Sequence, residues 1–277
     1  MILVTGASGT VGSQVVRALL ERGAPFRAAY RTRPQNLPAH VEAVSLDFDQ
    51  PDTLPPALRG VSTVFVLSST VAPEVNLVRA AEEAGVERVV KLSVWGADKE
   101  EFTFARWHRS VEKVIEASGL RWTHLRPNSF MQNMVTYMGD TIRGQGSIYT
   151  SAPDARVRHV DARDIGAVAG RVLTESAHEG KAYELGGPEA LTYREAAGIL
   201  ARVLGREITV VGLTDEAYKQ GAVASGMPEA YADALVDLER YYRTGMAGGE
   251  APAVRQLLGR EPGSFEQFAR DYAGALR

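Results

Sequence analysis

The chain has 277 residues, 45% apolar and 23% charged, which describes one large folded domain or one with a smaller appendage and excludes disordered, collagenous and coiled-coil classes. With 31 basic against 34 acidic residues the net charge is −3, leaving no positive field for a nucleic-acid backbone. The absence of cysteine excludes disulfides, thiolate metal sites and cysteine nucleophiles together.

In chain order, residues 2–4, 26–30, 41–45, 63–67, 88–92 and 122–126 read as short apolar strands. Amphipathic stretches separate them: Val11, Val15, Ala18 and Leu19 up to the cap Gly23, then 51–58, 73–84 and 104–118. Strands and helices alternating at this spacing predict an α/β fold, a doubly wound parallel Rossmann sheet with ligands at the carboxyl ends of its strands. After Pro127 the rhythm gives way to a loop-rich stretch, so the dinucleotide domain is expected over 1–150 and a smaller α+β substrate region over 151–277. That region is expected to hold helices at 162–174, 215–224, 228–242 and 265–276, and a helix opened by the capping box Thr192 and Glu195 and closed by Gly205. Strands are expected at 182–185, returning to the sheet, and at 208–211, with 244–252 a mobile loop.

Between the first strand and first helix stands Val4-Thr5-Gly6-Ala7-Ser8-Gly9-Thr10-Val11-Gly12. Gly6 permits the tight turn, Gly9 lets backbone approach a pyrophosphate, and Gly12 lets the helix pack on the sheet. Amides from Ser8, Gly9, Thr10 and Val11 then face the anion at the positive end of the helix. The acidic residue that holds a ribose in NAD sites is absent after the second strand; Arg31 and Arg33 stand there, suited to a 2′-phosphate or simply solvated. NADP(H) is therefore expected over NAD(H). Asp47 and Phe48 would border the adenine or form an ordinary loop, and Leu67, Ser68 and Asn128 would line the cofactor cleft.

The glycine spacing resembles the atypical and extended short-chain dehydrogenases/reductases. The blocks Leu125-Arg126-Pro127-Asn128 with Phe130-Met131-Gln132-Asn133, Val160-Asp161-Ala162-Arg163-Asp164-Ile165 and Tyr183-Glu184-Leu185-Gly186-Gly187-Pro188 narrow the resemblance to the NmrA-like group, over essentially the whole chain. The stretch from Trp107-His108-Arg109 to Asn133 especially resembles ergot-alkaloid iminium reductases and azo or quinone reductases. In the typical members a Tyr and a Lys four residues apart share a helix face and protonate a carbonyl. Here that spacing carries Phe104 and His108.

His108, with Glu112 one turn on and close enough to raise its pKa if they pair, is a candidate acid or a helix-surface histidine. Ser93 is a candidate hydroxyl or a strand-end cap. Trp95, Phe104, Phe130, Met131 and Tyr149 are candidate substrate-wall residues, or core. No metal is expected, because the five histidines lie on separate elements without ligand spacing. The resemblance implies an NADPH-dependent oxidoreductase acting on a quinone, azo compound, iminium ion or activated carbonyl; the alternative it leaves open is a non-catalytic NADP(H) sensor. No apolar run approaches the roughly 18 residues of a membrane helix. A cytoplasmic monomer or homodimer with a small-molecule substrate, and no nucleic-acid or membrane partner, is expected.

Overall fold

The computed structural model describes residues 1–31, 41–68 and 70–277. The elements are β1 (Ile2–Val4), α1 (Gly12–Glu21), β2 (Phe26–Tyr30), β3 (Glu42–Ser45), α2 (Leu54–Leu58), β4 (Thr63–Val66), α3 (Glu74–Glu83), β5 (Arg88–Leu92), α4 (Thr103–Ala117) and β6 (Arg121–Pro127). Then follow α5 (Asn133–Thr136), α6 (Gly139–Gln145), β7 (Ser147–Thr150), α7 (Ala162–Thr174), β8 (Lys181–Leu185), α8 (Tyr193–Leu204), β9 (Thr209–Gly212), α9 (Asp215–Ala224), α10 (Glu229–Arg243), α11 (Ala253–Leu258), α12 (Phe265–Asp271) and α13 (Ala273–Leu276). Among the described residues no helix is long and apolar enough to cross a membrane.

Two compact units are interleaved along the chain rather than divided by one boundary near residue 150. The first comprises Met1–Asp98, Trp107–Pro127 and Ala162–Glu184. The second comprises Lys99–Arg106, Asn128–Asp161 and Leu185–Arg277.

The first unit is built on the expected doubly wound sheet, in the order β3-β2-β1-β4-β5-β6-β8, with β1 to β6 parallel. β1 and β4 are buried at every position, as central parallel strands covered on both faces must be. One covering layer buries Leu54, Leu58, Leu77, Val78, Val111 and Ile115 against Leu3, Val64 and Val89. In the other layer α1 meets α7 through glycines. A Cβ at Gly166 would fall 2.4 Å from the Gln14 Cβ, and one at Gly170 2.7 Å from the Ala18 Cβ. The expected return of the chain after α7 is present as β8 beside β6, where Gly180 N donates to Trp122 O at 2.7 Å.

The second unit has its own core of Met131, Met134, Ile148, Tyr193, Leu200, Phe265, Phe268 and Leu276. The stretch after Pro127 is more ordered than its glycines imply. Gly146, at φ 63°, caps α6 in the left-handed conformation, and β7 pairs in parallel with β9. That pairing joins residues about sixty apart, which local periodicity cannot register. The helix expected over 265–276 breaks at Tyr272 (φ −101°) into α12 and α13. Nor is 244–252 a free loop. The Ala247 carbonyl accepts from Arg158 N at 3.0 Å and Asn128 Nδ2 at 2.8 Å, and Arg158 Nε donates to Gly249 O at 2.7 Å.

Candidate active site

Thr5 stitches the carboxyl ends of β1 and β4, the neighbours at which strand order reverses. Its Oγ1 lies 2.9 Å from the carbonyls of both Phe65 and Leu67 and accepts from Leu67 N at 2.8 Å. Gly6 has φ +60°, and a Cβ there would lie 2.9 Å from Leu67 O; a Cβ at Gly12 would lie 2.0 Å from Gly6 O. Both glycines are demanded by the turn itself. Gly9 differs, since a Cβ would meet only Gly6 O, at 3.3 Å, and Ser8, Gly9 and Thr10 are exposed. The Gly9 amide, expected to be free, donates to Gly6 O at 2.9 Å and closes the turn, whereas the amides of Ser8, Thr10 and Val11 take no backbone acceptor among the described residues, and they precede α1. A dinucleotide pyrophosphate fits this cradle of free N–H groups at a helix start.

Arg31 is exposed just beyond β2, while Arg33 lies outside the described residues. Asp47 organises the turn after β3: its carboxylate accepts from Asp49 N at 3.1 Å and Gln50 Nε2 at 3.3 Å. Phe48 packs on the sheet core. Ser68 N donates to Glu74 Oε1 at 3.2 Å, which begins a buried polar chain. Glu74 Oε2 accepts from Lys91 Nζ at 2.5 Å, and that ammonium also donates to Leu92 O at 3.0 Å and reaches His108 Nδ1 at 3.2 Å. Because an ammonium only donates, Nδ1 accepts and the ring hydrogen resides on Nε2. Burial, then the Lys91 charge, hold the His108 pKa well below its usual value.

The expectation that Glu112 pairs with His108 and raises its pKa is therefore corrected. Glu112 turns to Arg126, which donates from Nε at 3.0 Å and Nη2 at 2.8 Å, and to Arg109 Nη1 at 3.1 Å. Burial opposes ionisation of Glu112, but the Arg126 hydrogen bonds prevail and its pKa falls to about 2. Ser93 Oγ is buried beside Glu112 without a well-formed hydrogen bond. Glu112, Glu116 and His124 do converge, with ligand atoms within 4.8 Å, which histidine spacing did not foresee. Arg109 and Arg126 occupy the two carboxylates, so the cluster is an ion-pair network and not a cation site.

Of the apolar candidates, Trp95 is in the sheet unit, 8% exposed, with its N bonded to Pro127 O at 2.9 Å. Phe104, Phe130, Met131 and Tyr149 belong to the second unit. Phe104 packs edge-on against Tyr231 and is half-buried, as are Phe130 and Tyr149. Met131, at 1% exposure, is a core residue and not a wall. Asn128 bonds Ala247 O through Nδ2 and Ser129 N through Oδ1, both at 2.8 Å, so its amide secures the loop after β6. No local pattern signals the Lys91, Glu74 and Arg126 partnerships, which join residues on different elements. Glu184 stands in the sequence as part of a strand and of the Tyr183-to-Pro188 block, with no local sign of its partners.

The profile of the NmrA-like family matches residues 1–268. An NAD(P)H azoreductase of Xenophilus azovorans is 37% identical over 100% of this chain and 99% of its own. Agroclavine dehydrogenase of Claviceps fusiformis is 31% identical over 98% and 96%. Among solved structures, the NADPH complex of an Escherichia coli NADPH-dependent quinone oxidoreductase aligns over 98% of this chain and 99% of that one, with a TM-score of 0.86 and 26% identity.

Proposed function

The chain belongs to the NmrA-like family and is an NAD(P)H-dependent reductase, and from that premise we propose that it takes hydride from NADPH to a small, flat, electron-poor acceptor: a quinone, azo compound, iminium ion or activated carbonyl. The observation that carries the acceptor class is the replaced Tyr–Lys pair. Phe104 and His108 hold the four-residue spacing on α4, and the lysine that reaches His108 comes from β5. An electron-poor acceptor takes hydride with little prior protonation, so orientation supplies much of the rate.

When bound, the reduced nicotinamide supplies the hydride. The amides of Ser8, Thr10 and Val11 hold the pyrophosphate, with Gly6, Gly9 and Gly12 shaping the turn. Arg31, with Arg33, takes the 2′-phosphate, which favours NADPH. Asp47 and Phe48 border the adenine, and Leu67 and Ser68 form the cleft edge. Ser93 and neutral His108 offer hydrogen bonds to the acceptor, and Trp95 offers an apolar face. Lys91 fixes the histidine tautomer by donating to Nδ1.

Incubating the protein with NADPH and a panel of quinones, azo dyes, iminium ions and aldehydes, while following loss of nicotinamide absorbance, tests this. Turnover with at least one class is expected. Tight NADPH binding with no oxidation by any acceptor would replace the reductase with a cofactor sensor.

A further inference from the structure

Three carboxylates converge on one guanidinium at the carboxyl end of the sheet. Arg126, on β6, gives its direct bonds to Glu112 from α4 and to Asp98 from the turn after β5, the latter at 2.9 Å from Nη1. Glu184, at the end of β8, receives only what remains. One oxygen is 3.7 Å from Arg126 Nη1, and both lie 3.4 Å from the Gly96 amide.

The three acids differ in what holds their charge. Glu112 is fully buried and takes paired guanidinium bonds, so it stays ionised. Asp98 is half exposed, with water and Arg126 to carry its charge. The Glu184 side chain is about one-third exposed, with only the long contacts from the Gly96 amide and Arg126 and with two anions facing the same cation. A third negative charge is disfavoured there, and the proton settles on the group with the weakest partners.

We propose that Glu184, as a neutral carboxylic acid, donates the proton that completes reduction of carbonyl and quinone acceptors. This rests on the reductase function above. The place is right for the role, because Glu184 ends its strand beside the Trp95-Gly96 turn, at the strand ends where this fold binds its ligands. For a carbonyl acceptor the balance is simple. The C4–H bond of NADPH would break as its hydride forms a C–H bond on the carbonyl carbon, the carbonyl π pair moving onto oxygen and NADPH becoming NADP⁺. The Glu184 O–H bond then breaks, an O–H bond forms on that oxygen, and the carboxylate left behind recovers a proton from solvent. An iminium acceptor becomes a neutral amine on hydride addition and needs no such proton.

Every charged group facing Glu184 bears on its titration. Burial raises its pKa to about 7; Arg126 and the Gly96 amide pull it down, and Asp98 and Glu112 push it up. The acid form is therefore present below about pH 7 and lost above it. Neutral His108, whose pKa lies well below its usual value, cannot produce a loss of rate in that window.

The test is the pH profile of kcat for an aldehyde or quinone in wild type, Glu184→Gln, Glu184→Asp and Asp98→Asn. Wild type should hold a plateau below about pH 7 and fall about tenfold per pH unit above it. Glu184→Gln should lose roughly 100-fold in kcat and the pH dependence with it, while KM for NADPH and the iminium rate stay within about twofold. Asp98→Asn should keep activity but move the descending limb to lower pH, since a facing anion is gone, a shift that a merely structural glutamate would not report. If Glu184→Gln fails to fold, Glu184→Asp and Asp98→Asn still carry the test, the first keeping a displaced limb.

An infrared titration of the protein without acceptor gives an activity-independent readout. A carboxylic-acid carbonyl band should vanish with a midpoint near pH 7 in wild type and be displaced in Glu184→Asp. Wild-type turnover with an unchanged rate and limb in Glu184→Gln, or a missing infrared band, overturns the proposal and leaves the reductase standing. Absence of NADPH oxidation by wild type with every acceptor overturns the reductase function, and the donor role falls with it.

Discussion

The two carboxyl-end corners of the sheet solve the problem of holding charge in opposite ways. At β1 and β4 the chain removes side chains: Gly6, Gly9 and Gly12 shape a turn that leaves the amides of Ser8, Thr10 and Val11 free, and Thr5 only ties the strand ends together. At β5, β6 and β8 it adds long charged side chains, and Arg109 and Arg126 neutralise Glu112 and Asp98 beside Glu184. A backbone cradle is fixed by local conformation and has no pKa of its own. A side-chain network depends on partners far apart in sequence, and its protonation follows pH. The first suits a constant pyrophosphate, the second a proton that must come and go.

Removing the central cation should have the largest effect. Arg126→Met leaves Glu112 ionised and buried without its main partner, a loss of roughly 3–5 kcal/mol in denaturant unfolding. Adding Glu112→Gln to that variant should restore much of the stability. If Arg126→Met alone is neutral, the network is not what holds this corner. At the other corner, Gly9→Val should fold, because a Cβ there meets only Gly6 O at 3.3 Å, yet lose NADPH affinity by roughly 100-fold, or about 2.7 kcal/mol, in calorimetry. Unchanged binding in the folded variant would show that the cradle is not the phosphate site.

His108→Ala should lower turnover of carbonyl acceptors about 100-fold through loss of one positioned hydrogen-bond donor, with NADPH binding unchanged. Its pH profile between 6 and 9 should keep the wild-type shape, because the imidazole is already neutral there. A change of shape in that window would return the titrating role to His108. Arg31→Ala should cost about 1–3 kcal/mol in NADPH binding and leave NADH untouched, the worth of a charge-assisted contact. Equal losses for both cofactors would remove the 2′-phosphate assignment.

Away from both corners, buried His159 should make the protein acid-sensitive. Burial lowers its pKa from 6.5 to about 4, so its neutral form contributes fully above pH 6.5. That contribution is lost as pH falls through the window from 6.5 to about 4, at up to about 1.4 kcal/mol per pH unit. Unfolding free energies of His159→Leu measured across this range should show a shallower acid decline than wild type.

The contrast also explains what the sequence could disclose. The sheet was legible because β1, β4 and β5 are apolar runs whose neighbours follow from handedness, and the glycine turn because Gly6, Gly9 and Gly12 lie within seven residues. α8 was legible from its Thr192–Glu195 capping box, which is present. What escaped was set by distance along the chain. Glu112 looked like a partner for His108 one turn away, but a bidentate guanidinium from β6 is the stronger partner in a buried site. Lys91 reads as an interruption in an apolar strand until Glu74 and His108 are brought to it. The loop at 244–252 looked mobile from its glycines, and its anchors on Arg158 and Asn128 come from elsewhere in the chain.

The central claim is that hydride leaves NADPH for an electron-poor acceptor on this protein. It is tested most directly with NADPH deuterated at the transferred C4 position and an iminium or aldehyde acceptor, followed by mass spectrometry of the product. The account predicts one deuterium on the carbon that was the iminium or carbonyl carbon, in step with NADP⁺ formed. Product without deuterium from either C4 face, or NADPH bound tightly and left unoxidised with every acceptor, would contradict it.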